Sequence, residues 1–229
     1  MRYDVILWDM DDTLLDFSYS MEHALKKCLE EIGVKVSKEM IARYADINKG
    51  WWSRLEQGLV SKGALLSGRF TDLFEVYQIE CPDLTAFINH YQEYLGCFFS
   101  YVDYSMEVCN ALKGKCRQCI VTNGVLSTQL AKLKKSGFYE IMDDFFVSEQ
   151  LGAPKPGRLF FERVLETMPQ IKKDRILIVG DSLTSDMRGG YNAGIHTCWY
   201  NPDGKQNDTE IRTNYKIQDL REVLSIVEG

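Results

Sequence analysis

The sequence is short of everything that would tie it to a membrane, a nucleic-acid polymer or a disulfide framework. No uncharged apolar run approaches the ~20 residues that a membrane-spanning helix requires. Basic residues are in the minority, 27 Lys and Arg against 33 Asp and Glu, for a formal net charge of −6. The basic footprint that selects a nucleic-acid polymer or an anionic membrane is therefore missing, although a small anionic ligand can still be served by local charge or a metal. Prolines number only 5 and histidines only 3. There is no repeat and no Pro-rich or low-complexity tract, and His23, His90 and His196 lack metal-ligand spacing. The 7 cysteines are an odd number in a chain too large for a disulfide scaffold. Asp4, Asp9, Asp11 and Asp12 interrupt any signal-peptide pattern, so a reduced, cytoplasmic setting is expected.

What is present is ordinary globular material. The chain has 229 residues, 45% hydrophobic and 26% charged, enough for one large domain or two small ones at roughly 150 residues each. Short apolar runs at Val5–Trp8, Cys119–Val121, Phe145–Val147, Ile176–Val179 and Thr197–Tyr200 read as buried strands, with Tyr215–Ile217 as a possible edge strand. Unbroken apolar runs are what strands covered on both faces look like. Helical patterns alternate with them from residue 105 onward, with Ser105 and Ser127 as caps, Gly137 as a stop and Pro156 in a first turn. That alternation predicts a doubly wound parallel α/β sheet with right-handed crossovers.

Between the first strand and residue 105 the pattern changes to helices alone. Met21, Leu25, Cys28, Leu29 and Ile32 recur at helical spacing up to Gly33, and Ser37, Ser61 and Asp83 each open a further helix. Residues 16–99 are therefore expected to form an all-helical insertion after the first strand, with 1–15 and 100–229 forming the sheet domain.

Polar groups follow four of the apolar strands. Asp9-Met10-Asp11-Asp12-Thr13-Leu14 follows the first, and Thr122-Asn123-Gly124 the second. Ala153-Pro154-Lys155-Pro156 comes after the third and is expected to put a lysine at a helix N-terminus, where the macrodipole favours an anion. Gly180-Asp181-Ser182, with Asp186 one turn on, comes after the fourth. Ligands in such folds bind beyond the carboxyl ends of the strands. Two carboxylates at 9 and 11 suit nucleophilic and proton-transfer work, though an acidic turn or helix cap looks the same from sequence alone. Four carboxylates converging on one sheet edge imply a divalent cation, and all-oxygen ligands without His or Cys favour Mg²⁺.

The ordered set DMDDTL, VTNG, APKP and GDSLTSD resembles the four motifs of the haloacid dehalogenase (HAD) superfamily, and the resemblance spans essentially the whole chain. It implies a Rossmann-like catalytic core, residues 1–15 and 100–229, with the helical insertion 16–99 as a mobile cap. It also implies that Asp9 attacks phosphorus to form an aspartyl-phosphate and that Asp11 protonates the leaving alkoxide and later activates water. It further implies that Thr122 and Lys155 hold the phosphoryl oxygens, helped by backbone N–H groups near Met10 and Asn123, and that Asp9, the Asp11 carbonyl, Asp181 and Asp186 organise Mg²⁺. Asp12 departs from the glycine of many members, but acidic residues are also common there. The segments Asn48-Lys49-Gly50-Trp51-Trp52, Gln57-Gly58, Gly68-Arg69-Phe70 and Thr197-Cys198-Trp199 resemble the bacterial pyrimidine 5′-nucleotidase branch. That likeness implies a Mg²⁺-dependent phosphatase acting on a small phosphorylated metabolite, a pyrimidine nucleoside 5′-monophosphate. Trp51 and Arg69 are candidate substrate contacts, although an aromatic at helical spacing also fills a core and Arg69 equally suits an ion pair.

Phosphoglycolate or sugar phosphates, with hydrolysis or mutase chemistry, are the alternative. Haloacid dehalogenation is disfavoured, because that chemistry dispenses with metal and with the second acid at 11. A non-enzymatic phospho-acceptor switch would be about half this length without a helical insertion. Cys116-Arg117-Gln118-Cys119 has no second pair to complete a zinc site, and Lys132, Lys134 and Lys135 read as a solvated helix face.

Overall fold

Residues 1–229 are described by a computed structural model, in which they separate into two compact units, residues 1–17 with 100–229 and residues 18–99. The second unit is built on α1 (Phe17–Glu31), α2 (Lys38–Glu56), α3 (Lys62–Tyr77) and α4 (Leu84–Leu95). Ser37, Ser61 and Asp83 cap three of these helices as their sequence position predicts, each side chain accepting from the backbone N–H three residues on. Gly33, in the left-handed region at φ 78°, ends the first. Phe70 lies at the centre of the core. Its ring stacks on Tyr44 at 5.3 Å and meets Phe87 and Tyr91 edge-on at 5.1 and 4.9 Å.

Close approach of α2 and α3 depends on Gly68. A Cβ there would lie 2.2 Å from the Trp51 ring, so the missing side chain makes room for the indole. Gly68→Ala is expected to lower Tm by several degrees, the consequence of overpacking worth about 1–3 kcal/mol. Thermal melting followed by circular dichroism checks it, and an unchanged Tm would mean that the ring moves aside freely.

The other unit is a parallel α/β sheet, as the apolar runs predict. β1 (Val5–Trp8), β2 (Arg117–Thr122), β3 (Asp144–Val147), β4 (Ile176–Gly180), β5 (His196–Tyr200) and β6 (Tyr215–Ile217) lie in the order β3-β2-β1-β4-β5-β6. Every neighbouring pair is parallel. Strand order reverses at β1, which makes the gap between β1 and β4 the switch point where such sheets leave a crevice.

β1 and β4 are buried along their whole length. On one face Val5, Leu7, Val121 and Ile178 pack with Phe160, Phe161 and Val164 of α8 (Arg158–Glu166). On β1, Trp8 donates from Nε1 to Gln118 at 3.1 Å, and Gln118 in turn donates to the Cys109 carbonyl of α5 (Ser105–Leu112) at 2.9 Å. The remaining helices are α6 (Leu126–Lys135), α7 (Ser148–Leu151), α9 (Arg188–Ala193) and α10 (Glu222–Glu228).

Three local expectations are corrected. α5 is entered from Tyr104 in the left-handed region, not capped by Ser105, and α6 begins at Leu126, one residue ahead of Ser127. Pro156 precedes α8, whose N-cap is Gly157. The basic run on α6 is also not a solvated face. Lys134 and Lys135 are exposed, but Lys132 is fully buried with Thr128, Gln129 and Leu133. A polar face turns inward because a carboxylate waits there to pair with the lysine.

Candidate active site

Asp9 is the first residue beyond β1, and its N–H donates to the Val179 carbonyl at 2.9 Å, fixing it at the β1–β4 edge. The Lys155 ammonium meets three acceptors: Asp9 Oδ1 at 2.7 Å, Asp186 Oδ1 at 2.6 Å and the Val121 carbonyl at 2.8 Å. All three of its N–H bonds are thereby used. Asn123 holds the lysine in place from behind, donating to the Lys155 carbonyl at 2.9 Å and accepting its N–H at 2.8 Å. The expected placement of Lys155 at a helix N-terminus does not occur, since α8 starts only at Arg158. The ammonium is instead the counter-charge of two buried carboxylates.

Burial pushes the Asp9 carboxyl up to about 7, with Asp186 and Asp11 adding to the rise and Lys155 opposing it. The Asp181 carboxyl is likewise raised, by burial first and then by Asp9. For Lys155, burial works downward, but Asp186 and Asp9 outweigh it and hold the ammonium above its ordinary value. Negative charge is thus crowded here beyond what one lysine offsets.

Carboxylate oxygens of Asp9, Asp181 and Asp186 all lie within 4.8 Å of one another. A set of hard oxygens, short of positive charge and without His or Cys, fits a Mg²⁺-class cation.

Several supporting residues escaped the sequence reading. Thr13 Oγ1 lies 3.4 Å from Asp9 Oδ2 and accepts the Asp181 N–H at 3.1 Å, tying the loop after β1 to that after β4. Trp199 donates to the Asp181 carbonyl at 2.8 Å. Asp186 sits on a single π-helical turn, Leu183–Met187, a device that recurs at functional sites. Its carboxylate needs Gly180, where a Cβ would fall 2.4 Å from Asp186 Oδ2. Thr13 and Gly180 lie inside the motifs and Trp199 inside Thr197-Cys198-Trp199, but nothing local in the sequence assigns them these contacts.

Asp12 has φ 61°. Glycine is at ease in that left-handed conformation and aspartate is among the side chains that tolerate it, which explains both residue types at this position.

Asp11 turns its carboxylate to α6. Lys132 Nζ lies 2.6 Å from Oδ1 and Gln129 Nε2 2.6 Å from Oδ2. Gln129 also donates to Thr122 Oγ1 at 3.0 Å, and that oxygen accepts the Gly124 N–H at 3.1 Å. With two N–H groups directed at the Thr122 oxygen, its own proton is the part left to donate to a ligand.

The structure brings Asp9, Asp11, Thr122, Asn123, Lys155, Asp181 and Asp186 to the carboxyl edge of the sheet. Trp51 and Arg69 belong to the helical unit. Trp51 donates to Asp72 Oδ2 at 2.8 Å and lies under the Arg54 guanidinium at 5.0 Å. Arg69 is not in an ion pair: it is 1% exposed, stacks on Phe70 and Tyr91, and donates from Nη1 to Asn48 at 2.9 Å. Its Nε and Nη2 are buried without a hydrogen-bond partner.

The haloacid dehalogenase-like hydrolase family model matches residues 3–194. The HAD-hydrolase YfnB of Bacillus subtilis is 37% identical over 99% of this chain and 96% of its own. A crystal structure of YfnB, described as bound to magnesium, superposes with a TM-score of 0.94 over the whole of both chains at 36% identity. Pyrimidine 5′-nucleotidase PynA of Streptococcus pneumoniae is 33% identical over 100% of this chain and 96% of its own. Pyrimidine 5′-nucleotidase YjjG of Escherichia coli is 30% identical over 97% of each chain. Motif order, parallel sheet and strand-end site all agree with these matches, and the chain belongs to the haloacid dehalogenase-like hydrolase family.

Proposed function

We propose that this protein is a Mg²⁺-dependent phosphatase that hydrolyses pyrimidine nucleoside 5′-monophosphates through an aspartyl-phosphate on Asp9. The observation that carries the reading is the buried set in which Lys155 bridges Asp9 and Asp186 beside Asp181. Phosphoryl transfer asks chiefly for in-line positioning and neutralisation of charge, and this edge concentrates groups for both.

An Asp9 carboxylate oxygen forms the new bond to phosphorus while the bond to the ester oxygen breaks, and the Asp11 carboxylic acid gives its proton to the departing alkoxide. The Thr122 hydroxyl and the Lys155 ammonium bind phosphoryl oxygens, the lysine exchanging a carboxylate partner for the ligand. Asn123 contributes by bracing Lys155. In the second half, Asp11 takes a proton from water as the water oxygen attacks phosphorus. The bond to Asp9 then breaks, releasing phosphate and restoring the carboxylate. Asp9, Asp181 and the Asp11 carbonyl would hold Mg²⁺, with Asp186 ordering its waters; when bound, the ion offsets phosphoryl charge.

Residues 18–99 are assigned as the cap, with Trp51 and Arg69 recognising the organic part of the substrate. The two unpartnered nitrogens of Arg69 are donors suited to a pyrimidine carbonyl.

A panel of UMP, dUMP, dTMP, IMP, phosphoglycolate and hexose phosphates, read by release of free phosphate, tests the assignment. Pyrimidine nucleotides are expected to lead IMP and phosphoglycolate in kcat/KM by about 10-fold or more, a difference within reach of pocket contacts. EDTA should abolish turnover and Mg²⁺ restore it. Preference for phosphoglycolate would overturn the substrate assignment, and full activity in EDTA would overturn the metal.

A further inference from the structure

Lys132 lies outside all four motifs, yet it is fully buried and makes one of the shortest ion pairs in the sheet unit, 2.6 Å from Asp11 Oδ1. We propose that Lys132, together with Gln129, is the positioning residue that fixes the Asp11 carboxyl group for proton transfer; the inference rests on the acid–base role of Asp11 given above.

Three observations converge on it. First, both oxygens of one carboxylate are held, and both holders come from the same helix one turn apart, Gln129 on Oδ2 and Lys132 on Oδ1. A carboxylate held at two points by a rigid element has lost its freedom to rotate, which is what a proton donor needs when misplacement by 1 Å can cost 10²-fold. Second, the same Gln129 amide donates to Thr122 Oγ1 at 3.0 Å. One helix thereby sets the spacing between the proton-transfer group and a phosphoryl-binding hydroxyl. Gly124 accommodates this arrangement, since a Cβ there would lie 2.0 Å from Gln129 Nε2.

Third, stability alone does not call for a lysine at this place. A buried ion pair is often no better than well-packed apolar residues of similar volume. The aromatic ring of Phe17, whose centre is 5.4 Å from Lys132 Nζ, offers a surface against which such a residue could pack.

The test separates positioning from mere support by the leaving group. A nucleoside alkoxide needs a proton as it departs, whereas p-nitrophenolate does not, and kcat/KM reports the step in which the leaving group goes. Lys132→Met is expected to lower kcat/KM on UMP by about 10²-fold and on p-nitrophenyl phosphate by no more than a few-fold. Lys132→Arg, which keeps the cation, should recover most of the loss on UMP. Gln129→Leu should produce the same asymmetry in smaller measure, and it carries the test alone if Lys132→Met does not fold.

Asp11→Asn is the control. If it shows the leaving-group asymmetry while Lys132→Met and Gln129→Leu lose both substrates equally, the positioning role is overturned and the acid–base reading stands. If Asp11→Asn itself loses both equally, the acid role of Asp11 fails, whatever Lys132 does.

Discussion

Asp9→Asn is expected to reduce hydrolysis of p-nitrophenyl phosphate and of UMP by about 10⁴-fold or more, the scale on which removal of a catalytic nucleophile acts. The argument is geometric. Asp9 combines a place at the β1–β4 edge with one oxygen held by Lys155 and the other 3.4 Å from the Thr13 hydroxyl. Asparagine keeps the shape but offers neither a nucleophilic oxygen nor a charge for a cation. Quenching the wild-type reaction with acid during turnover should trap phosphate covalently on the protein, located by mass spectrometry at Asp9, and the variant should trap none. Residual activity within 10²-fold of wild type, or label on another residue, would remove Asp9 from the role.

The second large effect concerns stability. Lys155→Met should destabilise the metal-free protein by about 3–5 kcal/mol, the cost of stripping buried carboxylates of their partner, and so lower Tm by on the order of 10 °C. The lysine is 2% exposed and lies between Asp9 and Asp186, with Asp181 in the same cluster. Without it three carboxylates face one another with no cation in reach. Adding Mg²⁺ should return part of the lost Tm and should help the variant more than the wild type, because the ion then supplies charge that Lys155 otherwise provides. Adding Asp186→Asn to the variant should also recover part of the loss. A metal-free Tm equal to wild type would show that the carboxylates are not strained against one another.

These two effects differ in how far they could be foreseen. Asp9 was visible as chemistry because it directly follows an unbroken apolar strand in a fold whose strand ends face the crevice. Lys155 was visible as a cation on the same edge, but its bridge between Asp9 and Asp186 joins positions 146 and 31 residues away, and no local pattern encodes that. The helix macrodipole invoked for it gave the wrong reason, since the helix begins at Arg158. Asn123 was expected to serve phosphate through its backbone N–H, and no local pattern encodes what its side-chain amide does, which is to hold the Lys155 backbone.

Local physics left its record in the chain. Runs such as Ile176–Val179 are strands because both faces are covered, Ser37, Ser61 and Asp83 start helices because their side chains satisfy free N–H groups, and Gly33 ends one because it is at ease at positive φ. Such features depend on neighbours within a turn or two, and they sufficed for the parallel α/β class but not for its strand order, which rests on pairings between distant segments. Only the tertiary structure decided which way α6 faces. The sequence placed Lys132 with Lys134 and Lys135 on a solvated face, but a carboxylate 121 residues upstream reversed that choice. Hydrophobic spacing weighs apolar burial alone, whereas a buried charge is placed by a partner that the chain brings near only after it has folded.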